Sequence, residues 1–99
     1  MNRRRPVVLA ALALTIAAGC CAFAEPRFKP NVDLPGNDYT SFELQKPRPR
    51  LCQEVCLRDG KCEAWTYVHP GFIGPLASCW LKSKAEPPQA NPCCISGTK

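Results

Sequence analysis

Four cysteines constrain this chain more than anything else in it: Cys52, Cys56, Cys62 and Cys79, set in the run Cys52-x3-Cys56-x5-Cys62 and then Ser78-Cys79-Trp80-Leu81-Lys82. Cys52 and Cys56 are four residues apart, so on a helix they project from one face, one turn apart. Two thiols on one helical face can staple that helix to whatever lies beneath it. Cys62 and Cys79 each sit in a run that reads as a strand. The pattern therefore predicts a helix cross-linked to a small antiparallel sheet, an α+β fold rich in disulfides.

Export explains why such a chain relies on sulfur. Arg3, Arg4 and Arg5 precede an apolar run from Val7 to Ala18, and Ala22-Phe23-Ala24 follows as a small-residue cleavage motif. This is the layout of a secretory signal, residues 1–24, cleaved between Ala24 and Glu25. The apolar run is too short for a comfortable membrane span and no second one follows, so no integral membrane span is expected. Ala17-Ala18-Gly19-Cys20 offers an alternative, a lipid anchor at Cys20, although a lipobox would want Leu where Ala17 stands.

Cleavage leaves 75 of the 99 residues and six of the eight cysteines: Cys52, Cys56, Cys62, Cys79, Cys93 and Cys94. An even cysteine count in a short exported chain reads as a disulfide framework formed in the periplasm or outside the cell. A domain of this size buries too little apolar surface to be secure without such staples. The formal net charge of +5 falls to +2 once the three leader arginines are gone, too mild a balance to argue for nucleic acid. Lys46, Arg48 and Arg50 alternate with prolines and read as a solvated loop rather than an anion site.

Residues 25–35 carry Pro26, Pro30 and Pro35 and read as an extended lead-in, with a turn near Gly36. Asp38–Leu44 alternates and predicts a first strand. Pro47 and Pro49 break it and open a helix over about Arg50–Asp59, with Gly60 as its stop. Lys61–Val68 predicts a second strand, with Cys62, Ala64 and Thr66 on one face and Glu63, Trp65 and Tyr67 on the other. His69–Pro75 is a loop, Ala77–Lys82 a third strand, and Cys93–Ser96 a last short strand after a proline-rich turn region. If Cys56 bonds Cys62, the helix lies over the Cys62/Ala64/Thr66 face; with Cys79 and Leu81 on that face, Cys52 can reach Cys79. Trp65 and Trp80 then lie on the far face.

Gly36-Asn37-Asp38-Tyr39-x-x-Phe42-Glu43-Leu44, Cys52-x3-Cys56-x5-Cys62-x-Ala64-Trp65-Thr66-Tyr67 and Cys79-Trp80-Leu81-Lys82 together resemble the PAN/Apple domain family, most closely its small exported bacterial members. The resemblance runs from about Asn31 to Gly97 and places a PAN/Apple-like domain at residues 36–97. It implies one helix packed on a curved antiparallel sheet, with bonds Cys52–Cys79 and Cys56–Cys62. Apple domains of blood proteins add a bridge between the chain ends. No cysteine precedes Cys52 in the mature chain to make one, so the partners of Cys93 and Cys94 stay open, a bond between these two neighbours being one solution.

The chemistry classes narrow quickly. Zinc sites favour closer Cys pairs, often with His, so no metal and no cofactor are expected. No Cys-x-x-Cys motif offers a reactive thiol. A small redox or metal-binding protein using Cys93 and Cys94 remains an alternative. His69 is the lone histidine, it precedes Pro70 in a loop, and no nucleophile–base set or phosphate-cradling loop accompanies it, so no enzyme activity is expected.

Binding is left. Trp65, Tyr67 and Trp80 are candidates for an aromatic cluster on one sheet face, against the plainer reading of a second core layer. Phe72 and Ile73 are candidates at a loop tip. The resemblance implies contact with a protein or a glycan, and so an exported binding module at the cell envelope. The alternative is a non-catalytic structural or inhibitory subunit of an envelope complex.

Overall fold

A computed structural model describes residues 28–99. The leader, the Ala24/Glu25 cleavage position and Cys20 lie outside the described residues. Helix α1 runs over Pro49–Arg58, and the strands are β1 (Phe28–Asp33), β2 (Asp38–Leu44), β3 (Ala64–Val68), β4 (Ala77–Lys82) and β5 (Gln89–Thr98).

Helix α1 has little local reason to persist. It has ten residues, no side-chain N-cap at Arg48 and no acid in its first turn, and a helix that short is marginal alone in water. Pro49 pre-sets its first turn and Arg58 suits its last. Covalent packing supplies the rest. Cys52 and Cys56 are its two buried residues. Cys52 is bonded to Cys79 of β4 with Cα atoms 5.4 Å apart, and Cys56 to Cys62 just before β3 with Cα atoms 5.2 Å apart.

The helix stops one residue before the expected end, and Asp59 rather than Gly60 closes it. Asp59 is extended, at φ −105 and ψ 116. Its carboxylate accepts from the Lys61 N–H at 3.0 Å while its carbonyl accepts from the Cys62 N–H at 3.0 Å. This tight turn starts β3 at Ala64 instead of Lys61.

The sheet is antiparallel throughout, in the order β1-β5-β3-β4-β2. Central β3 has all five residues buried. Trp65 pairs with Leu81 and Tyr67 with Cys79, so these four share the face that carries the helix. Ala64, Thr66 and Val68 pair with Lys82, Trp80 and Ser78 and share the other face. This reverses the expected faces of β3. Cys62 does bond to the helix, but it lies outside the strand, and the turn at 59–63 breaks the alternation that would carry its direction on to Ala64 and Thr66.

The core follows from that register. Trp65, Tyr67, Leu81, Leu44 and Ala77 pack with the four stapled cysteines, and Phe28, Tyr39, Phe42, Leu51, Val55 and Ile95 close round them. Phe28 meets the Trp65 ring edge-on with centroids 5.2 Å apart. Large apolar side chains contribute about 1.5–3 kcal/mol each when fully buried.

Both ends of the described residues are more regular than the prolines suggest. Phe28–Asp33, expected as a lead-in ahead of the domain, is an edge strand paired with β5. Pro30 is tolerated there because an edge strand has one hydrogen-bonding side to spare. β5 spans ten residues, not four, and contains Pro92 at a place where pairing lapses. Pro30 opposes Ile95 and Val32 opposes Ala90, so Asn31 alone faces the four residues Asn91 to Cys94. Asn31 takes up the mismatch at φ 60. Cys93 and Cys94, in that bulge, are bonded to each other.

Candidate functional site

The face of the sheet away from the helix carries an open groove of about 480 Å³, within the ~300–1,000 Å³ common for ligand sites. Trp80 of β4, Thr66 and Val68 of β3, and Cys93 and Cys94 of β5 line it from the sheet; Phe72 and Ile73 reach it from the loop between β3 and β4. Asp33, Asp38 and Lys82 supply charge at its margin. A smaller recess of about 290 Å³ runs along β2 and shares Trp80 and Ile73 with the groove. Trp80 thus stands between two concave surfaces, half-buried.

Several polar groups in and beneath the groove are held in place. The Trp80 indole N–H donates to the Ser78 hydroxyl at 3.1 Å, which fixes the ring along the strand. The Ser96 hydroxyl donates to the Val32 carbonyl at 2.7 Å. Its single proton is thereby committed, so in the 2.8 Å contact with Thr66 the donor is the Thr66 hydroxyl. That chain ties β3 through β5 to β1 beneath the groove. Lys82 lies opposite Asp38 in the β2–β4 pairing and binds its carboxylate at 2.5 Å, with a second bond to the Gly36 carbonyl at 3.3 Å. Gly36 sits at φ +90 in the β1–β2 turn, a conformation that strains other residues.

The expected aromatic cluster is divided between the two faces. Trp65 and Tyr67 are 0% and 1% exposed beneath the helix and are unavailable to a ligand, because the register sets them opposite Leu81 and Cys79. Burial pushes the Tyr67 phenol up. Trp80 remains on the open face. Phe72 and Ile73 are 56% and 64% exposed, and their loop is steadied at its base: His69 stacks edge-on against Tyr67 at 5.3 Å and lies 6.4 Å from the Phe72 ring. The His69 N–H donates to the Cys93 carbonyl at 2.9 Å, which ties the loop to the β5 bulge.

Sequence reasoning passed over Asp33, Asp38 and Lys82 as groove residues. Pairing Asp38–Leu44 with Ala77–Lys82 end to end would have brought Asp38 and Lys82 together as opposite charges.

Among the described residues no three or more His, Cys, Asp or Glu side chains are grouped to hold a metal ion, and no helix is long and apolar enough to cross a membrane. The arrangement offers an aromatic wall, an apolar rim and a few fixed polar groups. A family model described as the PAN domain matches residues 32–82. No curated protein and no solved structure matches the chain.

Proposed function

The chain belongs to the PAN domain family, and from that premise we propose that it is an exported, non-catalytic binding module that takes a protein or carbohydrate ligand at the cell envelope, on the sheet face opposite its helix. The observation that carries this reading is Trp80: a pinned, half-buried indole that lines two neighbouring concavities, with exposed Phe72 and Ile73 beside it. Aromatic side chains that combine an apolar body with a polar edge are favoured binding anchors. A sugar ring stacks on such a face, and a protein side chain packs against it equally well. Export rests on the basic and apolar leader and on the disulfides, which persist in oxidising compartments.

The test is a glycan array and a pull-down from envelope extract, run with the wild type, W80A and I73D. A ligand retained by the wild type and lost by both variants supports the proposed face. Equal retention by all three moves the site elsewhere and defeats it. A single protein recovered at fixed stoichiometry, with no glycan signal, favours the subunit of an envelope complex over a free-standing module.

A further inference from the structure

The three disulfides differ in surroundings and in what they close. Cys52–Cys79 and Cys56–Cys62 join residues 27 and 6 apart, and all four cysteines are 0% exposed. Cys93–Cys94 joins sequence neighbours, and Cys93 is partly exposed on the groove wall. Closing the smallest ring removes the least freedom from the unfolded chain, so this bond contributes least to holding the fold. Its segment is paired on one side only, through Val68 opposite Cys94 and His69 N–H to Cys93 carbonyl, while β1 skips it. A change there need not propagate into the ladder.

The bond does fix the groove. Neighbouring side chains on a strand leave by opposite faces, yet Cys93 and Cys94 both line this one groove. Both lie in the bulge, where the alternation lapses, and the bond between them ties Cys93 to Cys94 on that wall. Cys94 is held opposite Val68, so opening the bond would release the Cys93 side chain from its tie to the wall.

We propose that Cys93–Cys94 is a reducible wall of the groove: a dithiol reductant opens it while both helix staples stay closed, and opening changes what the groove binds. This rests on the groove being the binding face. The reductant's thiolate attacks Cys93 Sγ, the reachable sulfur. The Cys93–Cys94 bond breaks and its electron pair leaves on Cys94 Sγ, which takes a proton. The reductant's second thiol then attacks the mixed disulfide and releases Cys93 as a thiol. The protein gains two electrons and two protons, and the reductant becomes a cyclic disulfide.

The experiment is a graded dithiothreitol titration of the folded, exported protein, with alkylation and peptide mapping at each step and amide NMR spectra recorded alongside. The expected result is two thiols, at Cys93 and Cys94, before any at Cys52, Cys56, Cys62 or Cys79. Amide shifts should move at Val68, His69 and Trp80 while the β2 and helix signals hold. The double variant C93S/C94S should show the reduced-state spectrum without reductant. Release of all six thiols together, or groove shifts that stay fixed after Cys93 and Cys94 are reduced, would overturn the proposal. Retention of a groove ligand from the array equally in both redox states overturns it too and leaves the binding reading intact. Loss of the binding reading, by contrast, shows as no W80A-sensitive ligand in either state.

Discussion

The Lys82 ammonium is held between the Asp38 carboxylate at 2.5 Å and the Gly36 carbonyl at 3.3 Å, with 3% of the Lys82 side chain exposed against 34% of the Asp38 side chain. The pair is asymmetric, and so are the consequences of breaking it. Removing Asp38 strands a buried cation, whereas removing Lys82 leaves a carboxylate that water reaches. D38A should therefore cost about 3 kcal/mol and K82M about 1 kcal/mol or less, since a well-packed apolar replacement of a buried charge is often near neutral. Urea unfolding of the two variants decides it; equal costs would mean that the pair is solvated like a surface one.

Trp65 and Trp80 should separate stability from binding. Trp65 is wholly buried, and its indole N–H has no hydrogen-bond partner among the described residues. W65A should cost about 3–5 kcal/mol through the cavity it leaves. W65F should cost no more than about 1.5 kcal/mol, because deleting an unpaired buried donor offsets part of the lost packing. W80A, from a half-buried site, should cost under about 2 kcal/mol while abolishing ligand retention. Denaturant midpoints beside the pull-down check both halves.

The sequence carried the helix, three of the strands and the idea of a helix sewn to a sheet, because each of these leaves a local mark: a cysteine pair one turn apart, an alternation, a Pro/Gly loop. It misdirected the faces of β3. Alternation counts correctly only within a strand, and Cys62 stands two residues before β3 begins, across a turn that Asp59 organises. β1 and the first half of β5 were hidden by Pro30 and Pro92, whose compatibility depends on an edge position and on a bulge, both tertiary facts. The groove was hidden for the same reason. Trp80 read as one of three aromatics, and only the register separates it from Trp65 and Tyr67.

Disulfide removal should grade with ring size. By chain entropy the Cys52–Cys79 link contributes about 3.5 kcal/mol and the Cys56–Cys62 link about 2.3 kcal/mol. C52A/C79A should therefore lower the thermal midpoint more than C56A/C62A, and C93S/C94S should lower it least. A domain this small has little stability in hand, so the first variant should be largely unfolded at physiological temperature. Circular dichroism melts of the three double variants give the ranking, and a reversed order would show that native-state packing, not loop closure, governs these bonds.

The Tyr39–Asp59 contact contributes to the pH dependence of the helix end. The Tyr39 hydroxyl donates to Asp59 at 2.8 Å. The Lys61 N–H, then this Tyr39 bond, then the charges of Lys61 and Lys99 hold the Asp59 carboxyl below its usual value. A lowered carboxyl stabilises the fold above its unfolded pKa, about 3.9, and the contribution disappears as pH falls through the lower folded value. Desolvation first, and then the Asp59 hydrogen bond and charge, push Tyr39 up from 10.0 to about 12. A raised phenol stabilises the fold fully below the unfolded value and loses that contribution as pH climbs through about 12. D59N should flatten the acid limb of a stability–pH curve. Y39F should remove the late-titrating phenol from an ultraviolet absorbance titration and soften the acid limb only in part, because the Lys61 bond to Asp59 survives. An acid limb unchanged in D59N would place the acid-sensitive group elsewhere in the chain.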